Sequence, residues 1–199
     1  MQLSITPHKA LDLLKKGNER FVSNIGLNRD LMRQVVETST GQYPFATVLS
    51  CIDSRVPAEI IFDQAVGDIF STRIAGNIVN SDILGSMEFA CKVAGSKLIM
   101  VLGHTGCGAV KGACDNVELG NLTDLLDKIK PAISKESEHR ENRVGDNREF
   151  VDAVAKLNVY HSMEEIKNKS PILAEMIANG EIDLAGGVYD INNGKVTFL

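Results

Sequence analysis

Residues 50–59, SCIDSRVPAE, place a thiol, a carboxylate and a guanidinium at alternate positions of one short stretch. Cys51 can bind a metal ion as a thiolate, and Asp53 and Arg55 can form a bidentate ion pair. On an ordinary surface such a pair would contribute less than about 1 kcal/mol to stability. Because Cys51 is so close to the pair, we expect the three residues to serve one chemical site instead.

His104 and Cys107 lie three positions apart in a second stretch, GHTGCGAVKGA. Gly106 and Gly108 give the backbone freedom to turn both side chains toward one ion. Together with Cys51 they form a ligand set of two thiolates and one imidazole. This set suits Zn²⁺, which in catalytic sites keeps its fourth position for water. The alternative is that the cysteines are small buried hydrophobes and the histidine is a turn residue.

Two predicted strands position these candidate ligands. The runs PFATVLS (44–50) and KLIMVLG (97–103) are short, apolar and bounded by turn residues, which is typical of buried strands. Cys51 follows the first strand, and His104 and Cys107 follow the second. In open α/β sheets, ligands bind outside the carboxyl ends of the strands. We therefore expect the three side chains to share one edge of a sheet.

The remaining sequence alternates helical and strand patterns. This order predicts one α/β domain over residues 1–199, with a central, mainly parallel β-sheet flanked by helices, an N-terminal helical arm and a C-terminal β-hairpin or edge strand. Periodicity and capping residues predict the following elements: one or two helices within 7–23, a short helix in 58–64, a strand over 68–74, a helix over 81–95 with Ser81 as N-cap and Gly95 just beyond its end, a helix over 121–134 broken near Pro131, a charged connection over 135–147, a helix over 148–168, a helix within 170–180 that begins with Ser170 and Pro171, and a hairpin within 182–199 that turns at Asn193 and Gly194.

The composition excludes several kinds of partner. The formal net charge is −5 and no run is rich in lysine or arginine, so we expect no binding to nucleic acid or to an anionic membrane. The N-terminal sequence lacks the apolar core of a signal peptide, and no window approaches the roughly 20 apolar residues of a membrane span, which predicts a cytoplasmic protein. Four cysteines in 199 residues favour free thiols or metal ligands over a disulfide framework.

The strings CIDSRVPAE and GHTGCGAVKGA, in this order and separation, resemble the two signature segments of the β-class carbonic anhydrases. The likeness continues through GDIFSTRIAGN and covers most of the chain. It implies one Zn²⁺ per chain, held by Cys51, His104 and Cys107, with water as the fourth ligand. It also implies reversible hydration of carbon dioxide to bicarbonate and a proton by zinc-bound hydroxide. In that reaction Asp53 would orient the hydroxide, and Arg55 would keep Asp53 ionised and fixed.

The same resemblance assigns residues to a pocket for carbon dioxide and bicarbonate. Gln42 matches a glutamine that the family contributes from a dimer partner, and Phe70 and Phe89 match aromatic positions of the pocket wall. Gly108 is assigned to the pocket beside the metal ligands. An apolar wall suits a substrate without a net dipole. For the two phenylalanines ordinary core packing is the alternative, and for Gln42 a plain turn. The resemblance further implies a homodimer or homotetramer.

Two other functions stay open at this point. A hydrolase of CS₂ or COS would use the same fold and metal on a substrate shaped like carbon dioxide. A zinc-stabilised homologue without catalytic activity would need neither Asp53 nor Arg55, and a structural zinc site usually takes a fourth protein ligand. The presence of both residues therefore favours an enzyme.

Overall fold

Five strands form one sheet in the structure, a computed structural model that describes residues 5–199. The strands are β1 (Ala46–Ser50), β2 (Ile69–Arg73), β3 (Leu98–His104), β4 (Asp183–Tyr189) and β5 (Val196–Phe198). Their order in the sheet is β2-β1-β3-β4-β5. The first three pairings are parallel, and β4 pairs with β5 in antiparallel orientation. The predicted α/β fold, with a mainly parallel sheet and a C-terminal hairpin, is confirmed.

Helices flank this sheet. Within residues 5–199 they are α1 (Pro7–Val22), α2 (Leu31–Thr38), α3 (Ala58–Ile61), α4 (Ser81–Glu88), α5 (Gly108–Cys114), α6 (Gly120–Asp127), α7 (Lys130–Lys135), α8 (Arg148–Lys169) and α9 (Pro171–Ala178). The sequence patterns did not predict α2 and α5. Helix α2 buries none of its side chains in this chain, and α5 is a short helix rich in small residues. None of the helices described is long and apolar enough to cross a membrane.

The start of α4 differs by one residue from the prediction. The side chain of Asn80, not Ser81, caps the helix by accepting a hydrogen bond from the Ile83 backbone N–H at 2.9 Å. Asn80 has extended backbone angles, which an N-cap requires, whereas Ser81 is already the first helical residue. A π-helical segment, Phe89–Val93, continues α4, and Gly95 lies just beyond it with a positive φ of 84°, as expected at this kind of helix end.

The predicted helix over 58–64 is shorter in the structure, because α3 ends at Ile61 and Asp63 has a positive φ of 45°. The ends of the later helices agree with the predictions more closely. The hydroxyl of Ser170 accepts the Leu173 N–H at 3.2 Å, and α9 begins at Pro171. The predicted break near Pro131 separates α6 from α7. The charged connection ends where α8 begins.

Two apolar cores cover the faces of the sheet, and a third apolar cluster includes Cys51, Cys107 and Cys114. Every residue of β1 and β3 is buried, as expected for central strands of a parallel sheet covered on both faces. Val48 packs in the core that includes Leu14 of α1, whereas Leu49 packs in the core formed with α4, α8 and α9. This double burial holds the register in which Ser50 lies opposite Leu102. The residues that follow Ser50 and Leu102 therefore reach the same edge of the sheet.

The N-terminal helix is attached to the core through Asn18. Its amide nitrogen donates to the carbonyl oxygens of Ile61 at 3.2 Å and Gly194 at 2.9 Å, and its oxygen accepts the Val196 N–H at 2.8 Å. A buried amide thus joins α1 to α3 and to the C-terminal hairpin. Since Asn18 is only 4% exposed, these hydrogen bonds are shielded from water.

Gly17 does not interrupt α1, which is one continuous helix. It allows the helix to approach α3 closely, because a Cβ atom at this position would lie 1.7 Å from the carbonyl oxygen of Phe62. The partner atom belongs to the backbone and cannot rotate away as a side chain would. The glycine is therefore required by packing.

We expect Gly17→Ala to lower the free energy of unfolding by about 1–3 kcal/mol, because α1 must move away from Phe62. Urea denaturation measures this change. The matched control is Gly85→Ala in α4, where a Cβ atom meets nothing within 4 Å. That substitution should stabilise the protein by about 0.5–1 kcal/mol through helix propensity. Equal stability of the two variants would contradict the packing argument.

Candidate metal centre

Three potential metal ligands converge at the carboxyl edge of the sheet. One ligand atom from each of Cys51, His104 and Cys107 lies within 4.8 Å of the others, and the two sulfur atoms are 4.0 Å apart. All three residues are buried. The structure thus brings together the three residues that the sequence predicted as ligands.

Different local structures carry these ligands. Cys51 directly follows β1, as predicted. His104 was expected just after β3, but the strand extends to include it as its last residue. Cys107 precedes α5 as its N-cap. Gly106 has a φ of 61°, so the chain turns between His104 and Cys107 as its glycine suggested. Gly108, the other glycine of this stretch, does not form part of the turn and is the first residue of α5.

One potential ligand atom, Nε2 of His104, is buried without a hydrogen-bond partner among the described residues. Nδ1 of His104 lies 3.0 Å from the carbonyl oxygen of Thr105, which can only accept, so this nitrogen carries the proton. Nε2 is then a buried acceptor, and it has no hydrogen-bond partner within residues 5–199. An unpaired buried acceptor is unfavourable. A metal ion bound at Nε2 would remove this penalty.

The two thiols share one proton. A hydrogen bond from Cys107 lowers the pKa of Cys51, and the same hydrogen bond, together with burial, raises the pKa of Cys107. One thiolate is therefore easily formed, and the second requires a nearby cation. Two thiolates and a neutral imidazole nitrogen are a fitting donor set for Zn²⁺ with one position left open.

Asp53 and Arg55 form a bidentate ion pair beside this cluster. Nε of Arg55 lies 2.9 Å from one carboxylate oxygen of Asp53, and Nη2 lies 2.7 Å from the other. The Arg55 guanidinium holds the pKa of the Asp53 carboxyl well below its usual range. Oδ2 of Asp53 is 4.0 Å from Nε2 of His104. The carboxylate is therefore ionised and lies at the edge of the ligand cluster.

Arg73 supports the segment that carries Cys51 and Asp53. Its Nε donates to the carbonyl oxygen of Cys51 at 3.0 Å, and its Nη2 donates to that of Asp53 at 2.6 Å. The local sequence around Arg73 does not indicate this role. Arg73 is the last residue of β2 and lies opposite Ser50, so the register of two parallel strands would have indicated it.

Asp152 supports the loop between the other two ligands. Its carboxylate accepts the Gly106 N–H at 2.7 Å, and Asp152 lies in the second turn of α8. The carbonyl oxygen of Gly106 also accepts from Arg55 at 3.4 Å. Nothing in the local sequence distinguishes Asp152 from the other polar residues of an amphipathic helix. Only the packing of α8 reveals this contact.

The four predicted pocket residues lie in different places. The rings of Phe70 and Phe89 meet edge to face, with centroids 6.2 Å apart, and both line an open cavity of about 720 Å³ with Arg73. Phe89 is 49% exposed, so it is not ordinary core. Gly108 is exposed at the start of α5, next to the ligand cluster. Gln42 is exposed ahead of β1 and does not line the cavity within this chain.

Comparisons with known proteins agree on one family. A family profile described as "Carbonic anhydrase" matches residues 46–196. Carbonic anhydrase 2 of Mycobacterium tuberculosis is 36% identical over 197 residues, which cover 95% of this chain and 91% of that protein. The carbonic anhydrase of Mycolicibacterium smegmatis is 35% identical over 196 residues, covering 96% and 92%. A solved structure from a study of two tetrameric β-carbonic anhydrases of Sordaria macrospora has a TM-score of 0.73 at 27% identity, covering 84% of this chain and 90% of that one.

We expect the zinc-loaded protein to hold one Zn²⁺ per chain and Cys107→Ala to lose it on dialysis, because two ligands cannot replace three. Metal analysis of the dialysed samples measures this. The control is Cys114→Ala, which removes another buried thiol from the same apolar cluster and should retain the metal. Stoichiometric zinc in both variants would show that Cys107 is not a ligand.

Removal of zinc by a chelator should also lower the melting temperature of the native protein.

Proposed function

The chain belongs to the β-class carbonic anhydrase family, and we propose that it catalyses the reversible hydration of carbon dioxide to bicarbonate and a proton with one Zn²⁺ per chain. The cluster of Cys51, His104 and Cys107, with an ionised carboxylate at its edge, carries this proposal. The two mycobacterial relatives are named carbonic anhydrases and match over more than nine-tenths of their length, which supports it.

Cys51, His104 and Cys107 would hold the ion. When bound, Zn²⁺ lowers the pKa of a water molecule in its fourth position and so supplies a nucleophile near neutral pH, less strongly with two thiolates than with three imidazoles. The hydrogen bond from Nδ1 of His104 to Thr105 fixes the ring and leaves Nε2 facing the two sulfur atoms.

Asp53 would orient the reacting water. An ionised carboxylate only accepts hydrogen bonds, so Asp53 accepts from an oxygen that carries a proton and leaves a lone pair of that oxygen free for carbon dioxide. It disfavours ligands without a donor for the same reason. Arg55 keeps the carboxylate charged and fixes both of its oxygens. The backbone contacts of Arg73 hold the segment in place.

We propose that Phe70 and Phe89 form an apolar wall for carbon dioxide and that Gln42 reaches the pocket of a second copy. The substrate has no net charge to be attracted by ions, so an apolar lining favours it over water. The cavity that the two rings line also includes Arg73, which holds the backbone of Cys51 and Asp53. Phe89 is half exposed in the single chain, and Gln42 lies on the surface. Both observations fit a pocket that a partner completes.

A homodimer or homotetramer accounts for the exposed apolar side chains of α2. This helix buries no residue in its own chain. Contiguous apolar surface of this kind marks an interface in soluble proteins. The relatives from Sordaria macrospora are described as tetrameric. The apolar side chains concerned are Leu31 (56% exposed), Met32 (71%), Val35 (45%) and Val36 (69%).

The proposed activity is tested by stopped-flow hydration of carbon dioxide from about pH 6.5 to 9, the range around the pKa of zinc-bound water. We expect activity that rises with pH at one Zn²⁺ per chain. Asp53→Ala should keep its zinc and lose about 10- to 100-fold in kcat/KM, because the water is no longer oriented. The control is Asp146→Ala, which removes a surface carboxylate paired with Lys111 and should leave kcat/KM unchanged.

Full activity in Asp53→Ala would refute the role assigned to that residue. A protein that holds stoichiometric zinc and never hydrates carbon dioxide would refute the proposed reaction. Turnover of CS₂ or COS by the same sample would then identify a hydrolase, and the absence of turnover a zinc-stabilised homologue.

The oligomer is tested by placing charges on α2. We expect the double variant Met32→Glu, Val36→Glu to dissociate, because two carboxylates would be buried against an apolar surface without partners. Sedimentation velocity measures the mass. Lys128→Glu, a charge change at the end of α6, serves as control and should keep the native mass. An unchanged mass of the double variant would exclude α2 from the interface.

A further inference from the structure

The turn Ala75–Asn77, which follows β2, donates a backbone hydrogen bond to Cys51. The Gly76 nitrogen lies 3.4 Å from the Cys51 sulfur. Gly76 has a φ of 66° and Asn77 a φ of 42°, so two successive residues occupy the left-handed region. A Cβ atom at Gly76 would lie 2.7 Å from Cδ1 of Ile129 and 3.3 Å from Cβ of Ala109, so another residue here would have to displace its neighbours. An uncommon turn of this kind depends on support from the rest of the fold.

Helix α8 provides this support with two buried side chains. Nδ2 of Asn158 donates to the carbonyl oxygen of Gly76 at 2.7 Å, and the hydroxyl of Ser162 donates to that of Asn77 at 3.0 Å. Asn158 and Ser162 are one helical turn apart and are 1% and 2% exposed. One face of α8 therefore holds two consecutive carbonyl groups of the turn.

Packing alone does not account for an asparagine at position 158. Its Oδ1 atom is buried without a hydrogen-bond partner among the described residues. An unpaired buried acceptor lowers stability, and an apolar side chain of similar shape would avoid that loss. What the apolar side chain could not provide is the donor to Gly76. The amide group is therefore explained by the contact that it makes with the turn.

We propose that Asn158 is a positioning residue for the thiolate of Cys51 and acts through Gly76. By holding the Gly76 carbonyl, Asn158 fixes the backbone angles of Gly76 and so directs its N–H to the sulfur. A donor on a thiolate withdraws charge from it, so the sulfur donates less charge to the metal, which stays a stronger Lewis acid. The inference rests on the proposed role of Cys51 as a metal ligand.

The test compares Asn158→Ala with Ile166→Ala in the Co²⁺-loaded protein. Ile166 is a fully buried residue of the same helix and packs in a different apolar cluster from the one that contains Cys51 and Cys107. Loss of the donor raises the energy of the sulfur lone pairs, so we expect the thiolate-to-cobalt charge-transfer band of Asn158→Ala to move to lower energy. Zinc affinity, measured by competition with a chelator, should fall about tenfold, because the loss of the positioned sulfur ligand outweighs its stronger charge donation. Ile166→Ala should lose stability with both readouts unchanged.

The outcomes separate this inference from the proposed metal site. A wild-type protein without any charge-transfer band would refute thiolate ligation itself. A band at the same energy in both proteins, with equal zinc affinity, would refute the role of Asn158. Asn158→Asp, which keeps the shape and replaces the donor by an acceptor, serves as the second variant. If neither variant folds, NMR of the cadmium-loaded wild type tests the contact through which Asn158 acts: a scalar coupling between the metal nucleus and the Gly76 amide proton is expected, and its absence would overturn the proposal.

Discussion

The structure depends on holding two thiols and an imidazole together inside the protein, where water cannot share their charge or hydrogen bonds. Cys51, His104 and Cys107 lie within 4.8 Å of one another and are buried. The thiols compete for one proton, and Nε2 of His104 has no partner among residues 5–199. A group of this kind is unfavourable by itself and becomes favourable with a bound cation. Much of the surrounding fold can be understood as the means of keeping it in place.

Side chains from distant elements hold the site in place through hydrogen bonds to its backbone. Arg73 of β2 holds the carbonyl group of Cys51, Asp152 of α8 holds the N–H of Gly106, and Asn158 of α8 holds Gly76. The segment that carries Cys51 is thus attached to the neighbouring strand β2, and the segment that carries His104 and Cys107 is attached to α8. Because α8 also packs in the core on one face of the sheet, the geometry of the site is coupled to the stability of the fold.

The surface of the single chain is consistent with a protein that is complete only as an oligomer. Helix α2 turns apolar side chains to solvent, Phe89 is half exposed beside an open cavity, and Gln42 stands apart from it. Such surfaces are unfavourable in water and favourable against a second copy. The metal cluster lies within one chain, whereas the proposed wall of Phe70 and Phe89 would extend to its surface.

The sequence by itself determined the sheet, most helices and the metal cluster, because each follows from local patterns. A buried strand is a short apolar run, a helix start is a capping side chain, and the ligands of a parallel sheet follow the strand ends. It did not indicate α2, which buries none of its side chains in this chain, or the continuity of α1 through Gly17, which is explained by one close contact with Phe62. Nor did it indicate Asp152 and Asn158, since a polar residue in a helix has the same local pattern whether it meets solvent or a backbone group. Only the tertiary structure decided those contacts, because they depend on which elements pack together.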